Sequence, residues 1–141
     1  MLAEDIIEVS DAPWSFPICL VPKPDGKWRF CVDYRKLNAI TTRDSHPLPC
    51  IQDILDGMAG AKIFSTLDLR SGYWQIPMHK DSKDKTTFTC HRGIYRFKRL
   101  SFGLKNAPGV FQRFMNKIFA PFIGKFLYLY LDDLHCSLLM I

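Results

Sequence analysis

The stretch "FLYLYLDDLHCSLLMI", residues 126–141, decides the fold of the C-terminal part of this chain. Two adjacent carboxylates, Asp132 and Asp133, interrupt an apolar run with strand character. Successive side chains of a regular strand point to opposite faces, so neighbouring aspartates cannot both face one site within a flat strand. They can do so where the chain reverses. The pattern therefore predicts a strand, a tight hairpin at the two acids, and a second strand running to Met140.

A third acid, Asp68, stands at the end of another predicted strand, "KIFSTLDL" (62–69). Neither Asp132 nor Asp133 has an adjacent Lys or Arg, so bringing the acids together is costly unless a cation neutralises them. Three carboxylates at strand ends can hold hard divalent ions, magnesium above all. Two such ions about 3.5–4 Å apart clamp a phosphoryl displacement. The residues alone leave an alternative open, in which the two acids form a solvated turn and Asp68 caps a helix.

The sequence of the N-terminal half predicts strands, a polar connection and one short helix. Residues 3–9, "AEDIIEV", fit a helical turn or an extended arm, and residues 15–34 fit two strands joined by a tight turn at Gly26. Residues 35–49 form a polar connection with two prolines. The short helix ends near Gly57 or Gly60, and its apolar face repeats at helical spacing. That face consists of Ile51, Ile54, Leu55 and Met58.

The C-terminal half predicts three more strands and a longer helix. "YWQIPM" (73–78), "KTTFTCH" (85–91) and "IYRFKRL" (94–100) fit strands, the last two joined in a hairpin at Arg92-Gly93. Asn106 is the predicted N-cap of the helix, with Pro108 in its first turn. The helix carries a stripe predicted to pack in the core, made of Val110, Phe111, Phe114, Met115, Ile118 and Phe119. The order of elements predicts the α+β class with an antiparallel sheet and packed helices.

Composition bounds the remaining possibilities. A chain of 141 residues with 48% hydrophobic residues suits one globular domain, and no apolar run is long enough to span a bilayer. The acidic N-terminus lacks a signal-peptide layout, which predicts an intracellular protein with no membrane partner. Five cysteines without a CxxC pair predict reduced, mostly buried thiols.

Basic and aromatic residues alternate in "HRGIYRFKRL" (91–100), and the net charge is +5. This combination suits a phosphate backbone with stacked bases. The alternative for this segment is a hairpin with a charged outer face.

Four segments together resemble the reverse transcriptases of gypsy-type LTR retrotransposons. "YLDD" (130–133) is similar to the YxDD motif, and "FSTLDLRSGYWQI" (64–76) to the segment with the first catalytic aspartate. "DGKWRFCVDYRKLNAIT" (25–41) and "FGLKNAPGVFQRFM" (102–115) resemble the fingers and palm blocks. The resemblance covers about residues 12–133, with the motifs in the family's order.

The resemblance implies the fingers and partial palm of a right-hand polymerase. Residues 1–141 would be a single partial reverse transcriptase domain within a pol polyprotein. About 12–65 would be mostly fingers, and 66–141 mostly palm with a fingers hairpin near 85–100. The expected domain is truncated after the YxDD hairpin, and the thumb, connection and RNase H are expected to be absent from this chain.

The implied reaction is template-directed addition of deoxynucleotides to a primer 3′-OH. Asp68, Asp132 and Asp133 would be the catalytic residues and would hold two Mg²⁺ ions, with Mn²⁺ as an alternative. The Leu69 carbonyl would add a ligand.

The resemblance also assigns nucleotide-binding residues. Tyr73 would lie beneath the incoming sugar and exclude a 2′-OH, and Phe102 would line the pocket for the nucleotide's 3′-OH. Arg29 and Lys23 would contact its phosphates. The template-primer would contact Lys105, Pro108, Tyr130 and Leu131.

The implied partners are an RNA or DNA template with its primer, dNTPs, and the rest of a Gag-Pol polyprotein. The implied location is the cytoplasmic virus-like particle, with the nucleus as a second compartment. The chain departs from its relatives at Ser101, where they usually carry Pro, and at Gly109, where they carry Ala.

We expect little or no activity from the chain alone. The alternative is a catalytically inert nucleic-acid-binding remnant. A two-metal phosphohydrolase or nuclease is a third hypothesis, which leaves the aromatic Tyr73 and the "KWRF" block (27–30) unexplained.

Overall fold

A computed structural model describes residues 1–138 of the chain. The strands are β1 Ile7–Val9, β2 Phe16–Pro22, β3 Trp28–Val32, β4 Ile63–Asp68, β5 Phe88–Cys90, β6 Gly93–Phe97, β7 Leu127–Tyr130 and β8 Asp133–Leu138. The α-helices are α1 Arg35–Ile40, α2 Ile51–Gly57, α3 Lys80–Lys83 and α4 Ala107–Phe119, and 3₁₀ helices form at Gly72–Gln75 and Asp84–Thr86. The chain divides into two compact units. The first contains residues 1–43 and 73–107, and the second contains residues 44–72 and those from Pro108 onwards.

The first unit is built on a five-stranded sheet in the order β1-β6-β5-β2-β3. The predicted β2–β3 hairpin is confirmed, and Gly26 takes the positive φ of +76° that its turn requires. One pairing is not antiparallel, because β2 and β5 run parallel where Phe16 faces Phe88. Apolar side chains from the sheet and α1 form the core, namely Ile6, Phe16, Val32, Tyr34, Leu37, Phe88 and Phe97.

The second unit is an antiparallel sheet in the order β4-β8-β7, with α2 and α4 in the same unit. Leu127, Leu129 and Leu134 are the buried apolar residues of its strands. The phenol of Tyr128 donates a hydrogen bond to the Gly57 carbonyl and so joins β7 to the end of α2. Strand β4 is an edge strand whose residues are all exposed. The predicted helix at Ile51–Gly57 is confirmed.

Two predictions of local structure are wrong. The polar connection after residue 34 begins with helix α1, because Asp33 accepts the Arg35 N–H at the first turn and Leu37 is buried. The predicted strand "YWQIPM" instead begins within the 3₁₀ helix Gly72–Gln75, and Tyr73 in this helix and Ile76 directly after it are both buried. Side chains at i and i+3 lie on the same side of a 3₁₀ helix, so this spacing suits the observed turn.

Two predictions of burial also need correction. On α4, Phe111 and Met115 are buried as expected, whereas Phe114 and Ile118 are exposed. The cysteines are free, but none is buried. Cys19 and Cys50 are exposed and the other three are half-buried.

The last residues of the predicted C-terminal strand, 139–141, lie outside the described part of the chain. Among residues 1–138, no helix has the length and apolar character needed to cross a bilayer.

Candidate active site

The two adjacent aspartates lie at a tight reversal between β7 and β8, as the sequence predicts. Tyr130 pairs with Asp133, which leaves Leu131 and Asp132 as the two turn residues. Leu131 has a φ of +53°, a left-handed conformation that is costly for a residue with a branched side chain. The turn breaks the alternation of the strands and places both acids at one end of the hairpin.

A side chain that sequence reasoning missed holds this turn in place. Gln112 on α4 is completely buried, and its Oε1 accepts the Leu131 N–H at 2.9 Å. Its Nε2 donates to Asn116 Oδ1, also at 2.9 Å. The available signal was a polar residue inside the apolar stripe of α4, because a buried amide needs partners.

The register of the sheet brings Asp68 to the same end. Strands β4 and β8 pair so that Asp68 lies directly opposite Asp133. The pairing continues past the strand end, where the Leu69 N–H donates to the Asp132 carbonyl at 3.3 Å. Asp68, Leu69, Asp132 and Asp133 are therefore neighbours, as predicted from the sequence.

Asp132 differs from the other two acids in its surroundings. Asp68 and Asp133 are exposed, whereas Asp132 is half-buried, and its buried Oδ1 has no hydrogen-bond partner among the described residues. Burial raises the pKa of Asp132, and the charges of Asp68 and Asp133 raise it further. In the folded chain, the Asp132 carboxylate is thus partly removed from water and lies near two other negative charges.

Gly72 makes this arrangement possible. A Cβ at this position would lie 2.5 Å from Asp132 Oδ1 and 2.9 Å from the Phe111 ring, closer than real contacts allow. Only glycine leaves room for the aspartate. The sequence showed Gly72 as a turn residue but not this close approach.

These groups have the chemistry that a hard divalent cation requires. An orphaned, buried carboxylate oxygen with a second and third carboxylate nearby is a set of oxygen donors lacking its counter-charge. Within the described residues, no three His, Cys, Asp or Glu side chains are grouped closely enough to form a metal site by themselves. The donor set fits Mg²⁺ in kind, and the metal ligands remain a prediction.

Comparison with known proteins identifies the family of this chain. Residues 21–138 match the family described as reverse transcriptase (RNA-dependent DNA polymerase). The chain belongs to this family. The expectation of family membership drawn from the sequence motifs is thereby confirmed.

The relatives of this reverse transcriptase domain include retrotransposon polyproteins. It is 44% identical over 139 residues to the retrovirus-related Pol polyprotein from transposon opus of Drosophila melanogaster, covering 95% of this chain and 14% of that protein. It is 40% identical over 139 residues to the Pol polyprotein from transposon gypsy of the same organism, covering 94% of this chain and 13% of that protein. The domain thus spans about one seventh of the polyproteins that it matches.

A solved structure supports the fold. A foamy viral protease–reverse transcriptase in complex with double-stranded DNA matches with a TM-score of 0.89 and 31% identity. The match covers 99% of this chain and 24% of the other. The predicted α+β class is confirmed.

The residues predicted to bind the nucleotide lie in the first unit of the reverse transcriptase domain. Tyr73 is buried, and its ring lies 4.8 Å from that of Phe102 between centroids. Arg29 is exposed on β3. Lys23 follows β2, and its N–H donates to the Lys27 carbonyl at 2.7 Å to close the hairpin. The Tyr73–Phe102 contact is a pairing that the sequence did not predict.

The residues predicted to bind template-primer are divided between the units. Pro108, Tyr130 and Leu131 lie in the second, and Lys105 lies in the first. The Lys105 Nζ donates to the carbonyls of Asn38 and Thr41 at 3.2 and 2.8 Å, at the end of α1. This lysine therefore has a local partner at a helix C-terminus, where positive charge is favourable.

Two cations of the basic segment 91–100 form ion pairs with acids. The Arg96 guanidinium donates to Glu8 at 2.7 Å and also to Asp84, and the Lys98 ammonium donates to Asp5. Burial alone would raise the pKa of Glu8, but the Arg96 hydrogen bond and nearby cations bring it below its usual value. These ion pairs favour the hypothesis of a hairpin with a charged outer face.

Proposed function

We propose that this chain carries the catalytic centre of an RNA-directed DNA polymerase, which adds dNTPs to a primer 3′-OH along a template. The observation that carries the proposal is the meeting of Asp68, Asp132 and Asp133 at one end of the β4-β8-β7 sheet. Family membership supports the same reaction. The activity of the much longer relatives is extended to this chain as part of the proposal.

In this proposal Asp68, Asp132 and Asp133 hold two divalent cations, Mg²⁺ or Mn²⁺, together with the Leu69 carbonyl. When bound, the ions would lower the pKa of the primer 3′-OH and neutralise the charge of the triphosphate. The protein's own contribution is preorganisation. Gln112 fixes the turn, and Gly72 leaves room for Asp132, so the backbone that carries the carboxylates is held in place before a cation binds.

Tyr73 is proposed to select deoxynucleotides. Its ring is buried against Phe102, which restricts its rotamers and gives the pocket floor a fixed position. A rigid ring beneath the sugar would collide with a 2′-OH. Arg29 and Lys23 supply positive charge for the triphosphate, Arg29 with a planar fork that suits phosphate oxygens.

Lys105, Pro108, Tyr130 and Leu131 are proposed to contact the template-primer. Tyr130 and Leu131 precede the catalytic acids directly, so a primer end at the acids would pass beside them. Lys105 would reach a phosphate only by giving up its contacts to Asn38 and Thr41. We therefore rank it below Tyr130 and Leu131 as a contact.

The domain is proposed to work as part of a Gag-Pol polyprotein, since its relatives are Pol polyproteins. Cytoplasmic virus-like particles are the proposed location, with the nucleus as a second compartment. We keep the sequence-based assignment as part of this proposal, with about 12–65 mostly fingers and 66–141 mostly palm with a fingers hairpin near 85–100.

Incorporation of a labelled dNTP on poly(rA)/oligo(dT) tests the reaction. Magnesium-dependent incorporation by the chain, lost in Asp132→Asn and retained in Asp53→Asn, supports the proposal. Asp53 is an exposed acid on α2 and serves as the matched control. Undiminished incorporation in Asp132→Asn contradicts the role of the acids. Salt-sensitive binding of primer-template by a folded chain without incorporation would support the inert remnant instead.

A further inference from the structure

Two cysteines face each other across the β2–β3 hairpin. Cys19 on β2 lies directly opposite Cys31 on β3 in the antiparallel register. Side chains at directly opposite positions project from the same face of a sheet. Cys19 is exposed and Cys31 is half-buried, so oxidants in solution can reach one thiol while the other is sheltered.

The hydrogen-bond pattern of the hairpin fixes the spacing of this pair. The Lys23 N–H donates to the Lys27 carbonyl, and the Asp33 N–H donates to the Pro17 carbonyl. Hydrogen-bonded pairs recur every second residue in an antiparallel ladder, so the cysteine pair is a hydrogen-bonded one. Its Cα atoms are then about 5.5 Å apart.

The Cα spacing lies within the range of disulfides, whereas the Cβ atoms must move closer together. The common Cα separation of a disulfide is about 5.5–6 Å, which the pair meets. Opposite Cβ atoms are about 4.5–5.5 Å apart, with hydrogen-bonded pairs at the wider end, whereas a disulfide brings them to about 3.8 Å. The bond can therefore form with a local contraction of the hairpin. The resulting strain makes it easier to reduce.

The two thiols already interact, and cations lie beside them. Burial raises the pKa of Cys31, and the charge and hydrogen bond of Cys19 raise it further, while Arg29 acts in the opposite direction. Cys19 also interacts with Arg35, whose pKa is raised mainly by its hydrogen bond to Asp33 and in small part by Cys19.

We propose that Cys19 and Cys31 are a site of reversible oxidation that forms an intrachain disulfide with a peroxide as oxidant. The Cys19 thiolate attacks hydrogen peroxide, the O–O bond breaks, and the departing hydroxide takes up a proton to give water and a sulfenic acid. The Cys31 sulfur attacks this sulfenic sulfur, forming the S–S bond and releasing a second water. Two thiols and one peroxide thus become one disulfide and two waters. Two equivalents of a small thiol reverse the reaction.

The disulfide has an optical reporter close by. Cys31 lines a cavity of about 60 Å³ together with Phe30, Trp74 and Phe102. Contraction of the hairpin moves a wall of this cavity. Oxidation is therefore expected to change the tryptophan fluorescence of the chain, and reduction is expected to restore it.

The sequence makes the bond easy to detect. Trypsin places each of the five cysteines on a separate peptide, with Cys19 in residues 1–27 and Cys31 in residues 30–35. The reduced chain is treated with hydrogen peroxide, alkylated, digested and analysed by mass spectrometry. We expect these two peptides to be joined in the monomeric chain and to separate with dithiothreitol.

Two variants complete the test. Cys19→Ser, at an exposed position, is expected to leave the fold intact and Cys31 alkylatable after peroxide. Cys50→Ser removes an equally exposed thiol and is expected to leave the joined peptides unchanged. Cys19 oxidised to the sulfinic acid with Cys31 still alkylatable would overturn the proposal. A bond found only between two chains would also overturn it. Polymerase activity plays no part in the readout, so the result is independent of the proposed function.

Discussion

Gln112 on α4 and Leu131 in the β7–β8 turn are joined by a hydrogen bond of 2.9 Å from the Leu131 N–H to Gln112 Oε1. The helix thereby holds the backbone of a turn whose left-handed residue is a leucine and not a glycine. A strained conformation persists when the surrounding structure determines it. The geometry of the turn that carries Asp132 thus depends on an amide 19 residues earlier in the chain.

Replacing Gln112 with Leu is expected to destabilise the fold. The change leaves the Leu131 N–H without its partner, which costs about 1–3 kcal/mol. Urea unfolding measures this loss. Asn116→Ala removes only the second hydrogen bond of the Gln112 amide and should cost less. Equal losses in the two variants would show that the turn does not depend on Gln112.

Two glycines are expected to respond oppositely to alanine. At Gly109 a new Cβ would meet its nearest neighbour, His46 Cβ, at 3.7 Å, so it fits. Gly109→Ala in helix α4 should therefore stabilise the chain by up to about 1 kcal/mol. Gly72→Ala would place a Cβ against Asp132 and Phe111 and should destabilise it. Thermal unfolding of both variants checks the signs, and a stabilising Gly72→Ala would contradict the described packing.

Asp132→Asn is expected to raise the stability of the chain and to lower its activity. Without metal, the neutral amide removes repulsion from Asp68 and Asp133 at a partly buried position, so the urea midpoint should rise. Incorporation of dNTP should fall by at least about 100-fold, the usual effect of losing one stabilising group at a reacting centre. A lower midpoint in this variant would show that Asp132 has a stabilising partner.

Tyr73→Val is expected to admit ribonucleotides. Valine leaves space beneath the sugar where the ring lay against Phe102. Primer extension with rNTP and dNTP in parallel gives the ratio of incorporation efficiencies. Tyr73→Phe keeps the ring and is the matched control, for which we expect unchanged selectivity. Unchanged selectivity in Tyr73→Val would exclude this residue as the gate.

The Asp33–Arg35 pair gives a pH dependence. The hydrogen bonds from the Arg35 side chain and backbone lower the pKa of Asp33 to about 2, from an ordinary value of 3.8. A lowered pKa means that the stabilising contribution is present above pH 3.8 and is lost as the pH falls through about 2. Carboxyl NMR titration should find Asp33 near this value and show it moving towards 3.8 in Arg35→Gln. Lys36→Gln, which removes only a weaker charge effect, should change it less.

The sequence predicted the acids well because their constraint is local. Two adjacent charges within an apolar run can face one site only at a chain reversal. Asp132 and Asp133 therefore predict the hairpin from local sequence alone, whatever its neighbours in the fold. The position of Asp68 was predicted from the end of its own strand, and the register of β4 with β8 places it opposite Asp133.

The remaining features depend on neighbours that are distant in the chain. "YWQIPM" has the composition of a strand, yet Ser71 takes a φ of +54° and the chain enters a 3₁₀ helix that buries Tyr73. The parallel contact of β2 with β5 joins segments about 70 residues apart and has no local signal. The role of Gln112 becomes visible only when α4 lies beside the turn.

The ion pairs of Arg96 and Lys98 also affect how the chain would bind a polyanion. Glu8, Asp84 and Asp5 already compensate both cations, so neither can neutralise a phosphate without giving up a partner. Nucleic-acid binding gains entropy from the small cations that leave the phosphates when protein cations neutralise them. The salt dependence of binding will therefore be shallower than the 19 lysines and arginines of the sequence suggest.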